Sequence, residues 1–303
     1  METNSNDMNL VLEDAGKLEE IRKRLKKEQR DTKIRAFTKN KLSVTGLVLV
    51  LIMILIAILA PVLAGYGPNE MVVKDRLMAP CKTHPFGTDS MGRDVFTSVV
   101  YGARISLLVG FVVSVVSAIF GVIIGLYASY NKLLDNILMR VCDGMKAIPN
   151  ILLAICLMAS LGASLRNVLI ALTVVCTPGI ARVARSAALV VREQTYIEAM
   201  DALGAKPNRI LWRHVAPNIM SPVIVQLTFN FATAILAEAS LSFLGAGVPA
   251  SVPSWGSILN EGMANIFNAW WLIIFPGIFT AVTVLGLNLL GDGLRDFLDP
   301  LTN

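Results

Sequence analysis

Four uncharged apolar runs, too long for a soluble core, constrain this chain first. Residues 42–63, LSVTGLVLVLIMILIAILAPVL, run 22 positions without a charge, and residues 105–130, 215–237 and 269–291 are equally charge-free. About 20 such residues cross the hydrocarbon of a bilayer as a helix, and lipid tolerates only backbone that satisfies its own hydrogen bonds. Two weaker runs, 147–165 and 167–191, flank a short turn at GASLRN, and the second contains Pro178, Arg182 and Arg185. The expected fold is an all-α integral membrane protein with six transmembrane helices. A composition of 54% hydrophobic and 16% charged over 303 residues excludes a pair of soluble domains.

Charge placement orients the spans, because cytoplasmic connections collect Lys and Arg. Residues 1–41 hold 11 basic residues, 131–146 hold three and 182–213 hold six, whereas 238–268 hold none. The long connection 64–104 carries five basic and four acidic residues, and there the rule is weak. Both termini are therefore expected in the cytoplasm. The expected divisions are a basic cytoplasmic segment 1–41, a first transmembrane helix 42–63, an extracytoplasmic connection 64–104, a five-helix core 105–291 and a cytoplasmic end 292–303. No short apolar core with a cleavage site opens the chain, so the first run is expected to stay as an anchor. The net charge of +5 is spent on orientation, and no nucleic-acid partner is expected.

Small residues recur every four positions in the second run, at Gly102, Ser106, Gly110, Ser114 and Ala118, with a parallel series at Ser117, Gly121, Gly125 and Ser129. Such ladders let helix backbones approach closely. That helix is expected inside a bundle or at a subunit contact. Chemistry-bearing motifs are missing: there is no Walker A loop and no HExxH pair, and the two histidines, His84 and His214, stand far apart. No metal site, no cofactor on this chain and no catalytic residue are expected. Cys81, Cys142, Cys156 and Cys176 have no ligand spacing and imply no disulfide framework. Glu238, at the edge of the fifth run, is either a group on a substrate path or an exposed helix end.

The segment YIEAMDALG, residues 196–204, interrupts the apolar runs. Thr195 precedes Glu198 by three positions, which is capping-box spacing, and Gly204 supplies a left-handed stop. A short helix over 195–204 follows. Tyr196, Ala199, Met200 and Leu203 share one face, while Glu198 and Asp201 point elsewhere. Isolated helices of this length are unstable, so the apolar face must dock. It docks on the chain's own bundle, on lipid, or in a groove of a cytoplasmic protein; acids on the polar face disfavour anionic lipid.

These residues resemble a known family. YIEAMDALGA followed by RILWRHVAPN is similar to the EAA loop of ABC-importer permeases, with Met200 and Ala216 departing from its usual pattern. HPFGTDSMGRDVFTSVVYGARISLLVG (84–110), SFLGAGVPASVPSWGSIL (242–259) and GDGLRDFLDP (291–300) resemble the dipeptide, oligopeptide and nickel importers, specifically the second of their paired permeases. The likeness covers about residues 37–300. It implies an importer-type permease fold in the bacterial cytoplasmic (inner) membrane and a coupling helix contacting an ATPase through Tyr196, Glu198, Ala199, Met200, Asp201, Leu203 and Gly204. The implied partners are a sibling permease, two ATPase subunits that hold the ATP and Mg, an extracytoplasmic solute-binding protein and the lipid bilayer.

Local physics accompanies each motif. In FGTDSMGRD, Asp89, Arg93 and Asp94 can close a turn-rich element by Arg to Asp pairs, or stand in a solvated loop. In the last motif Gly291 is expected to end the final span, with Asp292 free to cap. Peptide is the expected cargo, nickel or a metal chelate the alternative, and an ion-coupled carrier using Glu238 or a break at Pro178 a lower one. A membrane scaffold or receptor that recruits partners through its cytoplasmic segment is a further rival.

Overall fold

The computed structural model describes residues 40–249 and 251–298. The basic segment expected over 1–41 lies almost wholly outside the described residues, as does the end of the chain after Leu298. Among the described residues there is no strand, only a single bridge between Thr88 and Asp94.

Helix α1, Lys41–Leu63, begins where the Asn40 side chain accepts from the amides of Leu42 and Ser43. The connection that follows carries one 3-10 turn, Val73–Asp75. Helix α2, Val95–Tyr130, is capped by Asp94 and starts ten residues before the expected 105. Helices α3, Lys132–Ala147, and α4, Asn150–Leu161, meet at 95°. Helix α5, Leu165–Arg192, runs unbroken through Pro178. Then come α6, Thr195–Ala202, three short turns (Pro207–Ile210, a π-type turn Leu211–Val215, Ala216–Asn218), α7, Met220–Phe243, α8, Trp255–Ala264, and α9, Trp271–Leu298.

Five of these helices are long and apolar enough to cross a membrane, and the α3–α4 pair, bent by 95°, counts as a sixth when its two helices are taken together as one broken span. The third span expected over 147–165 is shorter than expected: α4 has 12 residues, too few to cross alone, and the charged helix α3 before it lies at 95° to it. The fifth begins at Met220 rather than 215 because the π-type turn intervenes. Gly291 does not end the last span. A Cβ at Gly291 would stand 2.7 Å from Thr228 Oγ1, so this glycine lets α9 pass close to α7, and the helix continues to Leu298.

Helix α2 packs most extensively on α5 and then on α7, and every member of its two small-residue ladders is buried. At Gly125 a Cβ would be 2.7 Å from Ala181 O. The ladders thus serve contacts within the chain. Large apolar side chains face outward elsewhere: Ile58 is 65% exposed and Phe111 58% exposed, as expected of surfaces that meet lipid.

Candidate functional site

Helix α6 grows directly from α5. Arg192 closes α5 by donating to Ser129 O, with its guanidinium 4.9 Å from the Tyr130 ring centre, which fixes where the chain turns. Gln194, not Thr195, is the N-cap, and no side-chain capping bond forms. The expected Thr195 cap is corrected accordingly: Thr195 is already the first helical residue, so its hydroxyl no longer sits at the cap position. The other end is a Schellman stop. Gly204 has φ +77°, Ala205 N donates to Met200 O (3.0 Å) and Gly204 N to Asp201 O (2.9 Å).

The apolar residues of α6 divide between two directions. Ile197 is buried and Met200 half-buried against a cluster that includes Leu126, Ala184, Ala188, Ile210 and Val215. Tyr196, Ala199 and Leu203 remain exposed, Leu203 at 86%. Glu198 and Asp201 are exposed as well and make no ion pair among the described residues. Met200 was expected beside Tyr196 and Leu203; it turns inward with Ile197, which face counting had overlooked. Ile197 is more apolar than its neighbours, and that is the signal that could have found it. The Tyr196 hydroxyl accepts from Asn218 Nδ2 (3.1 Å), so α6 is tied to the chain entering α7.

At the other end of the bundle, Asp89 Oδ1 accepts from the amides of Met91 and Arg93, both at 2.8 Å, and Arg93 Nε donates to Asp89 Oδ2 at 2.5 Å. Arg93 also reaches Glu261 Oε2 (3.1 Å), whose other oxygen accepts from Ser90 N (2.8 Å). Asp94 is not part of this pair: it caps α2 through Thr97 N (2.7 Å) and shares a hydrogen bond with His84 Nδ1 (2.9 Å). His84 is buried, stacked on Tyr66, with Nε2 3.9 Å from Asp75. Glu261 and His84 were not read from the sequence. The connection over 238–268 has acids and no base, which signals that Glu261 needs a cation from another segment.

Glu238 is not an exposed helix end: it is fully buried. Ser242 Oγ donates to Oε1 (2.8 Å) and Ser106 Oγ to Oε2 (3.1 Å). These serines in turn accept from Val248 N (3.2 Å) and Trp255 N (3.4 Å). The carboxylate ties the 244–254 connection and α8 to α2. Among the remaining ionisable groups, the Thr83 hydroxyl and then the His84 backbone hold the exposed Cys81 thiol below the usual cysteine range. No group of three or more metal-ligating side chains occurs among the described residues.

Comparison with known proteins follows the same lines. The family described as "Binding-protein-dependent transport system inner membrane component" matches residues 117–303, and "N-terminal TM domain of oligopeptide transport permease C" matches residues 31–80. A putative peptide transport system permease protein of Brucella suis is 50% identical over 255 residues, 84% of this chain and 86% of that one. The oligopeptide transport system permease protein OppC of Bacillus subtilis is 38% identical over 287 residues, 94% of each chain. An inward-facing structure of the MetNI methionine ABC transporter superposes with a TM-score of 0.58 at 22% identity, covering 69% of this chain and all of that one, a likeness of fold.

Proposed function

Since the chain belongs to the binding-protein-dependent transport system inner membrane components, we propose that it forms half of the translocation pathway of an ABC importer for peptides. The named relatives above are peptide permeases, which favours peptide over nickel or a metal chelate. Family membership also leaves the ion-coupled carrier and the membrane scaffold without support, and no break at Pro178 serves a carrier site. In this reading the chain is no enzyme: ATP and Mg sit on two partner ATPase subunits, a sibling permease completes the pathway, and a solute-binding protein delivers cargo. The end bearing α6 faces the cytoplasm, and the 64–94 connection and α8 lie outside.

The observation that carries the coupling role is α6 itself, anchored inward by Ile197 and Met200, with Tyr196, Ala199 and Leu203 left uncovered. Closure of the ATPase pair pushes on that ridge, and rigid-body movement of α5 and α7 opens the pathway to one side or the other. Leu203 touches so little of its own chain that Leu203→Asp should leave expression and membrane insertion unchanged. Peptide uptake and substrate-stimulated ATPase activity of the assembled transporter should fall at least tenfold, since truncating a central interface anchor costs about 2 kcal/mol or more. Glu198→Lys with Gly204→Asp should do the same. Normal uptake in both variants, at normal protein levels, would remove the coupling role.

A further inference from the structure

The ends of α5, α7 and α9 nearest α6 enclose a groove of about 460 Å³. Val183, Val225, Phe229 and Leu298 supply its apolar lining, and Ser221, Gln226 and Arg295 its polar lining. Arg295 is exposed and bonds to no described residue, although Asp292 lies one turn back and Asp296 is adjacent. Asp296 instead accepts from Asn40 Nδ2 at 3.0 Å. Gln226 and Ser221 are partly buried and likewise have no hydrogen-bond partner among the described residues. A half-buried amide and a cation beside apolar walls favour an occupant that accepts hydrogen bonds, carries negative charge and brings its own apolar part.

The same end of the bundle holds three more exposed cations, Lys206, Arg209 and Arg213, none of them ion-paired among the described residues. Trp212, 44% exposed, stands among them. Tryptophan flanked by basic residues at the end of an apolar span marks the headgroup level of a bilayer, and basic pockets between spans on the cytoplasmic side suit lipid headgroups.

We propose that this groove binds an anionic phospholipid of the cytoplasmic leaflet. Its phosphate pairs with Arg295 and accepts from Gln226 and Ser221, while the upper acyl chain lies along Val225 and Phe229. Arg295 is the charged side chain that lines the groove and no carboxylate among the described residues lines it, which favours lipids with net negative charge over zwitterionic ones. The assignment rests on the orientation proposed above.

The test is native mass spectrometry of the full-length chain, purified with the subunits that accompany it and equilibrated with an equimolar mixture of phosphatidylglycerol and phosphatidylethanolamine. The expected result is preferential retention of phosphatidylglycerol, reduced about fivefold in Arg295→Gln, the loss expected for one basic residue at a charged membrane surface. Gln226→Leu should reduce retention of both lipids. Equal retention in wild type and Arg295→Gln would overturn the proposal. So would an Arg295→Gln protein that keeps its lipid and sheds its ATPase subunits, because Arg295 would then serve a protein partner. Retention is read by mass with no transport step, so failure of the Leu203 prediction and failure of this one are separate results.

Discussion

At Glu238 a single buried side chain decides how an outer segment is held. Two serines donate to it and two backbone amides donate to those serines, so the carboxylate ends two short relays that start in the 244–255 stretch. Removing it leaves buried polar groups without their partner, at a cost of about 1–3 kcal/mol. Glu238→Ala should therefore lower the melting temperature of the purified protein, with Glu238→Gln lowering it less. Residual uptake per folded molecule should stay close to normal in both if the carboxylate serves only the groups of its own chain that it bonds. A carboxylate in a span had two meanings in the sequence, and only its neighbours separate them. Ser106 is 132 residues away, and no spacing rule reaches that far.

Among the elements, the α2–α5 contact was the most legible. The small-residue periodicity of α2 is visible in the sequence and all of it is buried: Gly121 and Gly125 meet α5, whereas Gly110 meets α7 and Gly102 meets α8. Gly125→Val should overpack Ala181 and Ala184, destabilise by roughly 1–3 kcal/mol and reduce the folded yield in membranes. Gly144→Ala, where a Cβ meets nothing within 4 Å, should leave thermal stability unchanged or slightly raised. The bent α3–α4 pair was the least legible. Residues 132–147 carry a charge every three to five positions, and what holds them is remote: Arg182 pairs with Asp143 at 2.8 Å and Arg185 with Asp135 at 2.5 Å. On α6 the glycine stop was readable because φ +77° needs glycine, whereas the N-cap was not, because burying Ile197 sets where the helix starts.

For the whole molecule, five spans follow from hydropathy, since crossing lipid imposes a length that no tertiary contact can waive, and the α3–α4 pair is a sixth only when its two helices are taken together. Which end faces the cytoplasm is the property still to be measured, and the cysteines provide the means. Cys81 is exposed on the 64–94 connection, Cys142 and Cys176 are buried, and Cys156 lies in α4 among apolar residues. A membrane-impermeant maleimide applied to intact cells should label Cys81, and Cys81→Ser should abolish the label. The lowered thiol pKa raises the thiolate fraction at any given pH, so labelling should persist to lower pH than for an ordinary cysteine thiol. Labelling only after permeabilisation would reverse the orientation.

Helix α5 is uninterrupted from Leu165 to Arg192, and at 1.5 Å per residue its 28 residues make a shaft of about 42 Å. It leads to α6 through Glu193 and Gln194 alone, while Ile197 and Met200 clamp α6 against the foot of the same shaft. A load on Leu203 would pass through a two-residue joint into α5, where Pro178, lacking a backbone N–H, leaves one point of weaker bonding in the middle of the shaft; α3 meets the same shaft through the ion pairs of Arg182 and Arg185. Under the proposed coupling role, any bend of α5 on loading would therefore fall at Pro178, between the end that carries α6 and the opposite end of the bundle.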